Sequence, residues 1–261
     1  MQAFRGELAL GAMEADTWRA MSKAKTTKGR PRRADELRPI TIERHFPTAA
    51  PGSVLISMGE TRVLCTASIA TEPPPWLKHA DPPRGWVTAE YAMLPGSTPD
   101  RKRRGPDSRG TEIKRLIGRA LRAAVDTSKM PGLMITCDCD VLHADGGTRT
   151  ASITGAYVAL ADALHSAREA GLITGNPLIG PVAAISTGVI DGKVHLDLDY
   201  ALDSRADVDM NVVMNHRGQF IEIQGTAEQA PFGGKELQKM LDQAGRGIRK
   251  LIRAQRAALK D

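Results

Sequence analysis

Apolar and polar positions along the chain change period several times, and each change marks an element. Pro39 to Glu43 alternates, Ser53 to Ser57 is largely apolar, and Arg62 to Ile69 follows a turn at Gly59. Such runs predict strands, and the short turn joins the last two as a hairpin. Pro73, Pro74, Pro75, Pro82 and Pro83 mark a loop before a strand over Trp86 to Met93. Residues 96–110 are polar, basic and turn-rich, which predicts a second loop. From Glu112 to Asp126 the period becomes helical: Ile113, Leu116, Ile117, Ala120, Leu121, Ala124 and Val125 form one stripe, with Lys114, Arg115, Arg119 and Arg122 elsewhere. Leu133 to Leu142 reads as a strand, Ala144 to Arg149 as a tight turn, and Thr150 to Ala170 as a helix stopped by Gly171.

Beyond Pro177 the pattern predicts strands over 182–189, 193–200, 210–214 and 220–224, with turns at Asp191-Gly192 and His216 to Gly218. A last helix is expected from Lys235 to Leu259. Strands, two helices, strands and a helix give an α+β protein, compatible with two similar halves. Residues 1–33 carry scattered apolar positions and read as a loose basic tail, with at most a short helix over Ala9 to Met21.

Composition narrows the class. The 261 residues carry a net charge of +6, with 41% hydrophobic and 25% charged residues, ordinary values for a globular protein. No run approaches the roughly 20 apolar residues of a membrane span. Glu7, Glu14, Asp16 and Arg19 break any signal-peptide core, so a cytoplasmic protein is expected. Positive charge gathers in Lys23 to Arg33, in Arg101-Lys102-Arg103-Arg104 with Arg109, and in Arg246 to Lys260. Such clusters attract polyanions, RNA among them. Aromatics make up only 4%, so a platform stacking many bases is not expected. The three cysteines lack the spacing of a disulfide framework. Cys137 and Cys139 share a strand face with Leu133, Ile135 and Val141, where they read as buried small hydrophobes rather than metal ligands.

Two segments carry candidate chemistry. In Asp145-Gly146-Gly147-Thr148-Arg149 a strand enters, two glycines turn and a helix leaves. The first turn of a helix has unpaired N–H groups and the positive dipole end, which suits an anion. Thr148 adds a hydroxyl and Arg149 a fork of donors matched to phosphate. The Lys-Ser/Thr ending of a nucleotide P-loop and the full dinucleotide pattern are missing, which disfavours ATP and NAD. A plain structural turn is the competing reading. Arg149 and Arg109 both stand at predicted helix starts, where a cation opposes the macrodipole, and two such positions point to an anion between them. The second segment, Asp203 to Asp209, links two predicted strands. Its carboxylates suit Mg²⁺ or general acid work, against a solvated acidic turn as the alternative.

These motifs resemble the ribonuclease PH family. The resemblance is carried by Glu36 to Pro39, Gly52 to Leu55, Val63 to Ser68, Trp86 to Pro95, Glu112 to Arg119, Cys137 to Leu142, Ala144 to Leu164, Asp209 to Met214 and Glu222 to Glu228. It implies a ribosomal-protein-S5-like α+β fold, divided here into a phosphate-binding part over 34–175 and a second part over 176–261. It implies a homohexameric ring built as a trimer of dimers, and reversible phosphorolytic trimming of tRNA precursor 3′ ends with release of nucleoside diphosphates. The family's phosphate-binding residues fall on Arg109, Gly147, Thr148 and Arg149, and its site aspartates on Asp203 and Asp209, where Mg²⁺ is expected. Arg101, Lys102, Arg103 and Arg104 are expected to grip the RNA backbone without reading sequence. The chain departs from the family in a shorter loop between Pro95 and Glu112, in Gly96, Lys114, His143 and Arg205, and in its N-terminal extension. A non-catalytic RNA-binding subunit of an exosome-like ring is the alternative.

Overall fold

A computed structural model describes residues 32–105 and 107–260. The expected tail and its short helix lie outside these residues, except at Arg32 and Arg33. Within the described residues the chain is tied to the fold from Arg32 onward. Arg32 donates to the carbonyls of Glu36 and Leu196, both at 2.8 Å, and pairs with Asp199 at 3.2 Å.

The first sheet has five strands: β1 (Ile40–Arg44), β2 (Gly52–Met58), β3 (Thr61–Ala70), β4 (Trp86–Met93) and β5 (Met134–His143). Their order is β1-β2-β3-β5-β4, antiparallel except for the parallel pair β4 and β5. A parallel pair needs a crossover, and α1 (Ser108–Arg122) supplies it, laying Ile113, Leu116, Ile117, Ala120 and Leu121 into the core. The second sheet has four strands: β6 (Val182–Ile190), β7 (Lys193–Leu196), β8 (Val208–Asn215) and β9 (Phe220–Ala227), in the order β7-β6-β8-β9.

α2 (Thr148–Glu169) is buried along most of its length because both sheets use it. On one side Gly155 lies against Ile56 and Cys65, where an added Cβ would meet Ile56 Cγ2 at 2.7 Å. On the other, Thr154 Oγ1 accepts from the Ala184 N–H at 3.2 Å. The last helix, α4 (Gly234–Ala258), follows the short α3 (Tyr200–Asp203). It sends Gln255 into the interior, where Nε2 donates to the carbonyls of Thr154 and Val182. One hydrophobic core therefore runs through both sheets and α1, α2 and α4. Cys65, Cys137 and Cys139 are free and buried in it, as the strand face predicted for Cys137 and Cys139.

Several element boundaries differ from expectation, and those at the starts of α1, α2 and β8 and at the end of β7 shape the site. α1 starts at Ser108, four residues before Glu112, because Asp107 caps it by accepting from the Gly110 N–H. α2 starts at Thr148, directly after the turn, rather than at Thr150. The strand expected over 193–200 ends at Leu196. Asp199 then caps α3, accepting from the Leu202 N–H at 3.0 Å. Leu198 joins Ile190, Ala206 and Leu202 in a small separate apolar cluster beneath that turn. Asp203 consequently ends a helical turn, and Asp209 stands inside β8, so the two do not share one inter-strand loop.

Candidate active site

An open cleft of about 1640 Å³ gathers the predicted site residues. Lys102, Arg103, Arg104, Arg109, Gly147, Thr148, Arg149, Asp203 and Asp209 all line it. Arg101 is exposed on the same loop but is not part of the lining.

The turn beneath the cleft is held from three directions. Gly146 and Gly147 have φ of 71° and 68°, the left-handed region in which a side chain is disfavoured. An added Cβ at Gly146 would meet the Leu198 carbonyl oxygen at 2.6 Å and the Tyr200 nitrogen at 2.8 Å. Thr61 Oγ1 donates to the Gly146 carbonyl at 2.7 Å and accepts from the Asp145 N–H at 2.9 Å. Arg38 donates to the carbonyls of Asp145 and Gly146. The same guanidinium is clamped by Asp197, 2.7 Å away. Arg38 is 6% exposed and Asp197 fully buried, so neither charge has solvent to fall back on. Asp197 itself has φ of 57°.

With the turn fixed, α2 begins with Gly147 as its N-cap and no side chain capping it. Its first N–H groups are left for a ligand, and the dipole end faces the cleft. Thr148 is nearly buried, and its Oγ1 lies 2.9 Å from the Tyr91 hydroxyl. Burial raises the Tyr91 phenol above its usual range, so it stays protonated, and either hydroxyl can donate to the other. When Tyr91 donates, the Thr148 hydroxyl hydrogen is free for an anion. Arg109, in the first turn of α1, has no side-chain hydrogen bond or ion pair to another described residue.

Across the cleft stand the carboxylates. Burial raises both Asp203 and Asp209. Asp209 is pushed up to about 6, first by burial and next by the negative charge of Asp203. Arg109 and Arg149 pull both back down, and Glu228 raises both. These five side chains therefore act on one another electrostatically. Asp209 Oδ1 is buried without a hydrogen-bond partner among the described residues. An unsatisfied carboxylate oxygen beside a second carboxylate fits a hard cation. No group of three or more His, Cys, Asp or Glu side chains able to hold a metal occurs among the described residues. The protein would therefore supply only part of the shell, as is common for Mg²⁺.

Arg38, Thr61, Tyr91, Glu112, Gln224 and Glu228 belong to this site without having been read as site residues. Arg38, Tyr91, Glu112, Gln224 and Glu228 lie in segments that carry the family resemblance, but nothing local to them signals a contact with the turn or the arginines.

Comparison with known proteins identifies the family. The model of the 3′ exoribonuclease family, domain 1, matches residues 36–165, and that of domain 2 matches residues 180–247. The chain belongs to this 3′ exoribonuclease family. Among its relatives, a ribonuclease PH of Corynebacterium glutamicum is 54% identical over 233 residues, covering 87% of this chain and 94% of its own length. A ribonuclease PH of Synechococcus is 54% identical over 234 residues, covering 87% and 95%. In fold, the chain is similar to an Archaeoglobus fulgidus exosome with RNA bound to its active site, with a TM-score of 0.73, 24% identity and coverage of 84% and 89%. Rice Rrp46 gives a TM-score of 0.71 at 19% identity, with coverage of 88% and 98%.

Proposed function

We propose that this chain is a phosphorolytic 3′-to-5′ exoribonuclease that trims tRNA precursors in the cytoplasm. The observation that carries the reading is a cleft that sets an uncapped helix start, Thr148, Arg109 and Arg149 opposite the carboxylates of Asp203 and Asp209, both raised by burial. The 54% identity to proteins named ribonuclease PH over most of the chain supports it.

Inorganic phosphate is already anionic near neutral pH, so the reaction needs no Ser, Cys or His nucleophile. The protein's task is to hold two anions that repel and to neutralise charge as the bond changes. In this reading Arg109, Arg149, the Thr148 hydroxyl and the Gly147–Thr148 backbone hold the attacking phosphate. Its oxygen bonds to the phosphorus of the last phosphodiester, and the bond from that phosphorus to the preceding 3′-oxygen breaks. The terminal nucleotide leaves as a nucleoside diphosphate, and the 3′-oxygen takes up a proton from whichever of Asp203 and Asp209 acts as the general acid. The reverse reaction adds nucleotides from diphosphates. Asp203 and Asp209 would hold Mg²⁺, which supplies charge neutralisation at the phosphoryl oxygens when bound. Lys102, Arg103 and Arg104 at the cleft, with Arg101 beside them, grip the RNA backbone through charge rather than sequence.

Assembly as a homohexameric ring, a trimer of dimers, is part of the proposal. The outer strand β9 supports it: it leaves Phe220 and Ile223 exposed, and such edges are commonly covered by another chain. Ile223 also lines the cleft, so a covering chain would lie close to the site.

Arg149→Ala tests the site. It should lower phosphate-dependent shortening of a short RNA by about a hundredfold or more, the scale set by removing one donor to a developing anion, while leaving the thermal unfolding transition in place. A folded variant with wild-type activity would contradict the assignment.

A further inference from the structure

Arg149 is not free in the cleft, and what holds it comes from α1 and β9. Its Nη1 donates to Gln224 Oε1 at 3.0 Å and lies 3.3 Å from Glu112 Oε2. A carboxamide offers two donors at one end and an acceptor at the other. Both donors of Gln224 are used, to Glu112 Oε1 at 3.2 Å and to Glu222 Oε1 at 3.0 Å. The amide oxygen therefore has to face the guanidinium. Glu222 is fixed in turn by a two-point bond from Arg119, with Nε to Oε2 at 3.0 Å and Nη2 to Oε1 at 2.7 Å. That fork geometry is the strong form of a charged pair, and it raises the Arg119 guanidinium.

The spacing explains how these residues meet. Glu112 and Arg119 are two turns apart on α1 and share a face. Glu222 and Gln224 are two apart on β9 and share a face. Arg149, in the first turn of α2, projects between them.

We infer that Gln224 and Glu112 are positioning residues that set the affinity of Arg149 for inorganic phosphate, in opposite directions. This rests on the proposal that Arg149 binds phosphate. Gln224 holds one nitrogen of the fork so that the remaining donors face the cleft. Glu112 orients the same nitrogen but also places a negative charge beside the anion site, so it lowers the pull on phosphate. Arg119 and Glu222 keep Gln224 in its one productive orientation.

The test measures the phosphate KM and kcat of Gln224→Ala and Glu112→Gln on a short RNA, with the dissociation constant of inorganic phosphate from calorimetry on the same proteins. Gln224→Ala should raise the phosphate KM about tenfold, the scale of a hydrogen bond to a charged group, with kcat nearly unchanged. Glu112→Gln keeps an acceptor and removes the charge, and should lower the phosphate KM about two- to fivefold, the scale of an exposed charge pair. A purely structural role would lower the unfolding temperature or kcat and leave the phosphate KM and dissociation constant unmoved. Wild-type constants in both variants, or a shift in the same direction in both, would overturn the inference. An RNA-shortening activity in the unaltered chain that ignores phosphate would instead overturn the phosphorolytic reading. Calorimetry with inorganic phosphate still decides the positioning claim in that case.

Discussion

At the scale of single residues, Asp209 is the most perturbed group of the cleft. Its carboxyl ordinarily titrates near 3.8 and is raised to about 6, by burial first and by Asp203 second. The folded chain thus holds this proton more tightly than the unfolded chain does. By linkage, that contribution favours folding in full below about pH 4 and is lost as the pH rises through about 6. In buffer free of divalent cations and phosphate, Asp209→Asn should therefore unfold at higher denaturant than the unaltered chain at pH 8, with the gap closing towards pH 4. Equal midpoints at both pH values would show that Asp209 is not held in this unfavourable state. The same variant should lose phosphorolytic activity, because Asn can neither carry the charge nor give up the proton. Stability at this position is thus set against function, as is common where a site stores an electrostatic cost.

At the scale of elements, the double-glycine turn was legible in the sequence. Adjacent glycines between a strand and a helix leave few other readings, and both adopt the left-handed region. Gly146→Ala combines that backbone penalty with a collision against Leu198 and Tyr200 backbone atoms. It should lower the unfolding free energy by about 1–3 kcal/mol, measured by denaturant titration; a neutral substitution would mean the turn does not have this shape. The apolar stripe of α1 was equally legible at Ile113, Leu116, Ile117, Ala120 and Leu121, all buried. Its first turn was not, because Ser108, Arg109 and Gly110 face solvent or the cleft and carry no apolar period. The cap at Asp107 was hidden in a loop rich in charge. The missed turn at Tyr200–Asp203 has a similar cause. Four residues show no periodicity, and only the tertiary cluster of Ile190, Leu198, Leu202 and Ala206 closes it. The contacts that aim the site were beyond local reading altogether. Arg38 and Asp197 are 159 positions apart, and Gln224 lies 75 from Arg149. No pattern within one element encodes such a meeting.

At the scale of the whole molecule, a single core joins the two sheets, with α2 buried between them. The cleft is built from both sides of that core. α1, α2 and the loop at 102–104 bring the positive groups, while α3 and β8 bring Asp203 and Asp209. The Arg38–Asp197 pair and the Arg119–Glu222–Gln224–Arg149 relay tie the two sides together at the site itself. Positive charge is thereby concentrated where phosphate and an RNA end would have to meet, and negative charge where a cation or a proton is needed. The central claim is that inorganic phosphate is a substrate of this cleft and not a passive ligand. The most direct test is to incubate the purified chain with a short RNA and Mg²⁺, with and without inorganic phosphate, and to identify the nucleotide released. Nucleoside diphosphates that appear only when phosphate is present are the predicted result; monophosphates formed without phosphate would contradict it.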